Sequence, residues 1–149
     1  MKIAIGSDHA GFELKAYIKR ILEAKGYVLI DAGPDTDDSV DYPDYGFKVA
    51  NLVSGGGVDK GILICGTGIG MSVAANKVKG IRASLAFDMY TAMQSRKHLD
   101  ANILVLGARV TGLGVAEAIV NVWLDTPFEG GRHEERIAKI AQFEMEHYK

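Results

Sequence analysis

A chain of 149 residues, of which 48% are hydrophobic, can bury one substantial core, so we expect one domain over residues 1–149. The formal net charge of −2 provides no basic excess for nucleic acid or an acidic membrane. The one cysteine excludes an internal disulfide, and no apolar run approaches the roughly 20 residues that span a bilayer. These properties predict a soluble cytoplasmic protein.

The first part of the chain alternates short apolar runs with segments of helical periodicity. An apolar strand over Lys2 to Gly6 precedes a helix over Phe12 to Lys25, in which apolar side chains recur on one face. A second strand over Tyr27 to Asp31 leads into an acidic, turn-rich loop from Gly33 to Tyr42. A second helix is predicted over Tyr45 to Ser54, and a run of glycines ends it.

The second part of the chain repeats this alternation. A third strand, Lys60 to Cys65, ends at a glycine-rich turn from Gly66 to Gly70 that leads into a third helix. The remaining predicted elements are the strand Arg82 to Ala86, the helix Met89 to Lys97, the strand Ile103 to Leu106, and the helices Leu113 to Leu124 and Gly131 to Tyr148. Because the strands are almost continuously apolar, they predict an α/β fold with a five-stranded parallel sheet, helices on both faces and a C-terminal helix.

Residues that directly follow a strand are the first candidates for a functional site, because ligands of open parallel sheets bind beyond the carboxyl ends of the strands. These residues are Ser7-Asp8-His9, Cys65 to Gly70, Phe87-Asp88 and Gly107-Ala108-Arg109. Asp8 fits either a site or a cap of the next helix, and Arg109 fits either an anion ligand or a surface residue.

The strongest local signal is the run from Cys65 through Thr67 to Gly70. Backbone N–H groups at such a turn bind anions, and a helix N-terminus favours the thiolate form of a cysteine. A thiolate there can abstract a carbon-bound proton while the amides hold the resulting enediolate. The alternative is a buried cysteine whose neighbouring glycines serve packing. A dinucleotide-binding motif is weakly supported, because Met71 stands where its third glycine belongs.

Two further segments carry charged or titratable side chains. If a helix starts near Gly131, Arg132 and Arg136 lie one turn apart, where like charges repel unless an anion lies between them. A phosphate fits that position, and a solvated helix whose adjacent glutamates neutralise the arginines is an equal alternative. His98 either moves a proton near neutral pH or complements the dipole at a helix C-terminus.

The sequence predicts no metal and no organic cofactor. Its four histidines show no ligand spacing with Cys65, and the acidic loop lacks the closing glutamate of an EF-hand. Trp123 and the methionines fit packing better than a cofactor site.

Several motifs together resemble the type B ribose-5-phosphate isomerase family, which also contains galactose-6-phosphate isomerase subunits. The matching stretches are Gly6 to Gly11, Asp41-Tyr42-Pro43, Gly61 to Ala75, Asn76-Lys77, Ser95-Arg96 with His98, and Glu129 to His133. The similarity covers essentially the whole chain in order. It implies a three-layer Rossmann-like sandwich that acts as a homodimer, or as a dimer of dimers, with the active site at the subunit interface.

The resemblance also implies roles for individual residues. The residue matching Cys65 is the base that moves a proton between C1 and C2 of an open-chain sugar phosphate, and Thr67 helps move the hydroxyl proton. The match to His98 opens the furanose ring, and the match to Asp8 supports the sugar hydroxyls. The cis-enediolate is held by the segment matching Gly66, Thr67, Gly68, Ile69 and Gly70, and the phosphate by the matches to His9, Arg109, Arg132 and Arg136.

The chain departs from the family pattern at one position. Family members commonly have His-Asn-Asp where this chain has His98-Leu99-Asp100, and a leucine cannot donate a hydrogen bond to the substrate. Members with serine in place of Cys65 use a glutamate about one turn later, and Ala74 and Ala75 leave no carboxylate there.

The sequence therefore predicts an enzyme that interconverts ribose 5-phosphate and ribulose 5-phosphate. The alternatives are an isomerase of a six-carbon substrate, allose 6-phosphate or galactose 6-phosphate, and a non-catalytic module that binds phosphate or a nucleotide. A thiol hydrolase is a further alternative, which requires a histidine within hydrogen-bond reach of Cys65.

Overall fold

Five strands and six helices alternate along the computed structural model, which describes residues 1–149. In chain order they are β1 (Lys2–Ser7), α1 (Phe12–Ala24), β2 (Val28–Gly33), α2 (Tyr42–Ser54), β3 (Lys60–Cys65), α3 (Ile69–Ala75), β4 (Ala83–Leu85), α4 (Met89–Leu99), β5 (Ile103–Gly107), α5 (Leu113–Asp125) and α6 (Arg132–His147). The predicted α/β class, with its parallel sheet and C-terminal helix, is confirmed.

Two helix boundaries differ from the prediction by more than one residue. Helix α2 begins at Tyr42 rather than Tyr45, inside the segment predicted as a loop, because Pro43 fits the first turn of a helix without losing a hydrogen bond. Helix α4 continues to Leu99 rather than ending at Lys97, and Asp100 ends it in the left-handed conformation with φ of 46°. His98 therefore lies on the last helical turn.

The strand order β2-β1-β3-β5-β4 places the switch in strand order between β1 and β3, because β2 lies on one side of β1 and β3 on the other. All neighbouring strands are parallel, and Ser7 pairs with Ile64 while Cys65 pairs with Gly107. The carboxyl ends of these three strands thus meet at one margin of the sheet, which we call the carboxyl edge. The opposite margin is the amino edge.

Helices cover both faces of the sheet and make three layers. One face packs against α1, α4 and α5 in a cluster of 17 buried residues, and the other packs against α2 and α3 in a cluster of 12. Helix α2 lies close to the sheet, since a Cβ added to Gly61 would stand 2.7 Å from Cγ1 of Val49. Trp123 is fully buried, with Lys60 Nζ 5.6 Å and Arg96 Cζ 5.7 Å from its ring centroid.

Helix α6 is the least buried element. Of its residues only His133 is buried, whereas Phe143 and Met145 are 58% and 72% exposed. The helix is held by contacts with α4 and by a hydrogen bond of 3.0 Å from the Gly80 N–H to Glu144 Oε2. None of the six helices combines the length and apolar character needed to cross a bilayer.

A buried cation anchors α1 to the end of β2. Lys15 Nζ, on a side chain that is 3% exposed, lies 2.8 Å from Asp31 Oδ1. Burial raises the pKa of Asp31, but hydrogen bonds from Lys15 and the Gly33 N–H together with the charges of Lys15 and Lys19 outweigh it, so the pKa lies below its ordinary value. The carboxylate form therefore contributes to the stability of the fold.

We expect Asp31→Asn to destabilise the fold at pH 7 by about 1 kcal/mol, because it leaves Lys15 without its charged partner. The folded chain binds fewer protons at Asp31 than the unfolded chain, so this contribution is complete above the unfolded pKa of 3.8 and is lost as the pH falls through the lower folded pKa. Urea unfolding at pH 7 and pH 3 should show a smaller loss on acidification in the variant. An equal loss in both proteins would contradict the assignment.

Candidate active site

The predicted site residues fall into two groups at opposite edges of the sheet. Asp8, His9, Arg109 and the segment from Cys65 to Gly70 follow β1, β3 and β5, and we call them the carboxyl-edge group. The other three, His98, Arg132 and Arg136, are carried by α4 and α6 and form the amino-edge group.

Cys65 ends β3 with its side chain directed at the turn that follows. The residue is 4% exposed, and its Sγ accepts a hydrogen bond of 3.2 Å from the Gly68 N–H. The N–H groups of Gly66, Thr67 and Gly70 donate to no acceptor within the chain. We call residues 66–70 the glycine cradle. The unpaired amides beside the sulfur are suited to bind an oxyanion.

Strand β5 holds the glycine cradle in place. The N–H groups of Ala108 and Arg109 donate to the carbonyl oxygens of Cys65 and Gly66 at 2.8 and 2.9 Å. A Cβ added to Gly107 would stand 2.6 Å from the Thr67 carbonyl oxygen, so only glycine permits this approach. A Cβ added to Gly66 would lie 3.5 Å from both Cδ and Nη1 of Arg109. Arg109 forms no ion pair, which leaves its charge available to an anion at the cradle.

Asp8 and His9 each use one atom to hold the local fold. Asp8 is 8% exposed, and its Oδ1 accepts a hydrogen bond of 3.1 Å from the Gly11 N–H at the start of α1. This bond closes the turn before α1, whose N-cap residue is Gly11 and not Asp8, while Oδ2 accepts no hydrogen bond within the chain. His9 is half-buried, and its Nδ1 accepts a hydrogen bond of 3.3 Å from the Val40 N–H.

Two neighbours of the cradle carried no assigned role in the sequence prediction. Tyr42 packs its ring against Gly70, where an added Cβ would stand 2.8 Å from Cε2 and Cζ. The side chain of Leu85 contacts Gly68. Tyr42 belongs to the stretch Asp41-Tyr42-Pro43 that matched the family, but only the path of the chain from β2 to α2 shows that its ring reaches the cradle.

We expect Gly68→Ala to lower the thermal midpoint by about 3 °C or more, because its φ of +83° disfavours a side chain and a Cβ would press on Leu85 and on the Leu106 backbone. Gly112→Ala is the matched control, since Gly112 also precedes a helix but has φ of −69° and open space at the Cβ position. Thermal unfolding of both variants measures the difference. Equal midpoints would show that the left-handed turn is not required.

The amino-edge group lies beyond the reach of Cys65 within one chain. Helix α4 runs back across the sheet, and the Asn102 side chain bonds the Arg82 N–H and the Gly80 carbonyl at the amino ends of β4 and β5. His98 is therefore separated from the Cys65 end of the sheet by about the length of a five-residue strand, roughly 16 Å. Within one chain the predicted site residues are therefore divided between the two edges of the sheet.

Both α6 arginines are free of acidic partners. Helix α6 begins at Arg132, which places Arg132 and Arg136 one turn apart on an exposed helix as predicted. Neither forms an ion pair with an acidic side chain of the chain. Two unpaired guanidinium groups at this spacing are suited to bind a phosphate.

His98 stacks on His133, with ring centroids 4.1 Å apart and planes inclined by 15°. Burial lowers the pKa of His133, and the positive charges of His98 and Arg132 lower it further. Ligand atoms of both histidines and Glu129 lie within 4.8 Å of one another, a cluster that the search for sequence spacing missed. Stacked rings direct their nitrogen lone pairs side by side rather than toward one ion, so the pair suits proton transfer better than metal binding.

The class of the protein follows from comparison with known sequences. The family described as Ribose/Galactose Isomerase matches residues 3–140, and the chain belongs to this family. Ribose-5-phosphate isomerase B of Escherichia coli (strain K12) is 50% identical over 144 residues, which are 97% of each chain. D-erythrulose-4-phosphate isomerase of Pectobacterium atrosepticum is 43% identical over 145 residues, 97% of this chain and 95% of that one.

Solved structures agree with this assignment. Ribose-5-phosphate isomerase B of Clostridium thermocellum has a TM-score of 0.97 at 54% identity and covers 98% of this chain and 99% of its own. The Mycoplasma genitalium enzyme, solved with bound ribulose-5-phosphate, has a TM-score of 0.93 at 45% identity over 97% of each chain. The predicted family, the Rossmann-like fold and the class of sugar-phosphate isomerase are thereby confirmed.

Proposed function

We propose that this chain, acting as one isomerase domain over residues 1–149, interconverts ribose 5-phosphate and ribulose 5-phosphate. The observation that carries the proposal is the Cys65 sulfur, which accepts an amide hydrogen bond beside three unpaired amides and the free Arg109. The bound ribulose-5-phosphate of the Mycoplasma genitalium relative supports a five-carbon substrate.

Cys65 acts as the base through its thiolate. It removes the proton from C2 of the open-chain aldose, and the electron pair of that bond forms the C1–C2 double bond of a cis-enediolate while the C1 oxygen gains negative charge. The amides of the glycine cradle stabilise this oxyanion. Thr67 helps carry the hydroxyl proton from O2 to O1, and the Cys65 thiol returns its proton to C1. Oxidation at C2 balances reduction at C1, so the reaction consumes no external oxidant or reductant.

The remaining groups bind and open the sugar. Asp8, through its free oxygen, supports the sugar hydroxyls, and His98 transfers a proton to the ring oxygen of the furanose as the ring opens. Arg109 and His9 at the carboxyl edge share the phosphate with Arg132 and Arg136. This division of labour requires both groups of residues in one centre.

A second copy of the chain supplies the missing half of each centre. In a homodimer, or a dimer of dimers, the carboxyl-edge group of one subunit faces the amino-edge group of its partner across a two-fold axis. Exposed apolar side chains adjoin both groups: Ile69 and Val73 on α3 are each 58% exposed, and Leu99 beside His98 is 42% exposed. Surfaces of this kind are typical of contacts between subunits.

Two observations bear on the number of carbon atoms in the substrate. Leu99 presents an apolar side chain where the family commonly has asparagine, and a relative with 43% identity is named for a four-carbon substrate. Sugar phosphates with four or six carbons are therefore the alternatives to ribose 5-phosphate, with allose 6-phosphate as the six-carbon representative.

The decisive experiment is a spectrophotometric isomerase assay on ribose 5-phosphate, erythrose 4-phosphate and allose 6-phosphate side by side. We expect the highest kcat/KM for ribose 5-phosphate. A higher kcat/KM for erythrose 4-phosphate or allose 6-phosphate would change the assigned substrate but not the proposed reaction. If no sugar phosphate turns over and ATP raises the melting temperature instead, the chain is a nucleotide-binding module and the proposal fails.

A further inference from the structure

We propose that the backbone N–H of Val40 is a positioning group, which holds His9 in the tautomer that carries its proton on Nε2. The inference concerns the segment between β2 and α2, residues 34–41, which we call the strap. It rests on the proposed function only where it states what the Nε2 proton is used for.

The tautomer follows from the direction of one hydrogen bond. A backbone amide can only donate, so the Nδ1 of His9 that lies 3.3 Å from the Val40 nitrogen must accept through its lone pair. A neutral imidazole has one proton, which is then placed on Nε2. The same contact fixes the ring, because rotation about the Cβ–Cγ bond would remove the acceptor from the Val40 amide.

The strap is anchored on its β2 side by the buried Lys15. Lys15 Nζ donates 2.7 Å to the Pro34 carbonyl oxygen and 2.8 Å to Asp31 Oδ1, and the Gly33 N–H donates 2.9 Å to the same Asp31 oxygen. The start of the strap is therefore tied to both α1 and β2, and α1 begins directly after the segment that carries His9.

The strap is anchored on its α2 side by the glycine cradle. Tyr42, the first residue of α2, packs its ring against Gly70. Val40 lies two positions before this contact, between the two anchors. The Val40 amide is thus held in place by the same packing that borders the glycine cradle. The strap therefore couples the orientation of His9 to the position of the glycine cradle.

The consequence for binding is a ready hydrogen-bond donor. A phosphate oxygen accepts but does not donate when ionised, so a neutral histidine contributes only through a nitrogen that carries a proton. Without the Val40 amide, His9 divides between two tautomers and rotates more freely. Phosphate affinity then falls, whereas the proton transfers at Cys65 are unaffected, so the effect appears in KM and not in kcat.

The direct test is long-range proton–nitrogen NMR on protein with ¹⁵N-labelled histidine at pH 8. His9, assigned by the signals that vanish in His9→Asn, should show an unprotonated Nδ1 and a protonated Nε2. Val40→Pro, which removes the amide hydrogen, should shift these nitrogens toward a mixture of tautomers. It should also raise KM about fivefold with kcat within about twofold, the loss expected for one hydrogen bond.

Ser39→Pro is the matched control, because the exposed Ser39 carries an amide that donates no hydrogen bond within the chain. It should leave both the His9 signals and KM unchanged. A protonated Nδ1 in the wild-type protein, or unchanged His9 signals in folded Val40→Pro, would overturn the inference. Should Val40→Pro fail to fold, the wild-type spectrum still decides. The NMR result does not depend on ribose 5-phosphate being the substrate, so it is separable from failure of the proposed function.

Discussion

Replacing Cys65 by serine is expected to lower kcat for ribose 5-phosphate by roughly 10²- to 10⁴-fold, the range associated with a positioned general base. A serine hydroxyl is nearly isosteric with the thiol and keeps a partner for the Gly68 amide, but it is far less acidic and does not supply an anionic base. The fold should persist, because serine nearly fills the volume of the buried thiol.

Steady-state assays on Cys65→Ser and Cys65→Ala measure this loss of kcat. The rise in melting temperature on adding ribose 5-phosphate measures binding of the sugar phosphate by each variant. Both variants should still be stabilised by the sugar phosphate, because the groups that bind it are unchanged. Turnover within tenfold of wild type in both variants would remove Cys65 from the role of base. Loss of the thermal shift together with activity would show that the sulfur is needed for binding instead.

Two variants that are inactive alone should restore activity when they share one dimer. Cys65→Ala removes the proposed base at the carboxyl edge, and the double variant Arg132→Ala/Arg136→Ala removes two proposed phosphate ligands at the amino edge. In a mixed dimer one centre receives both defects and the other receives neither. If each centre is shared between subunits as proposed, the activity of the mixed dimer should therefore be about half that of the wild-type dimer.

Co-expression with two different affinity tags, followed by purification over both, isolates the mixed dimer. Assays at a ribose 5-phosphate concentration well below KM make the phosphate-site defect fully visible. The control is a dimer in which one chain carries all three substitutions and the other carries none. If each centre lies within one chain, this control should have about half of the wild-type activity. If each centre is shared between two chains, it should have almost none. An inactive mixed dimer together with a half-active control would contradict the shared centre.

The fold and the carboxyl-edge group were predictable because they depend on local pattern. Near-continuous apolar strands indicate a parallel sheet, and the residues after such strands meet at one edge. Asp8, Cys65 and Arg109 lie together for this reason. The start of α2 was misplaced because the acidic composition of the preceding segment obscured the helix-initiating position of Pro43.

Other parts of the site depend on contacts that no local pattern describes. The strap approaches His9 because Lys15 bonds the Pro34 carbonyl, a contact between residues 19 positions apart. Stacking of His98 on His133 joins two helices that are separated in sequence by β5 and α5. The distance between His98 and Cys65 follows from the path of α4 back across the sheet. The types of residue in the site were therefore predictable, and their distribution between two edges required the structure.

Trp123 makes the amino edge visible in solution. It is the chain's one tryptophan, it is fully buried, and Lys60 and Arg96 both lie over its ring. Arg96 also bonds Asp100 Oδ1 and the Ala101 carbonyl, each at 2.7 Å, in the turn directly after His98 and Leu99. Tryptophan fluorescence therefore originates from a single indole, and one of its two cationic neighbours, Arg96, is bonded to that turn. A shift of the emission maximum or quenching of this fluorescence reports a rearrangement there without any added label.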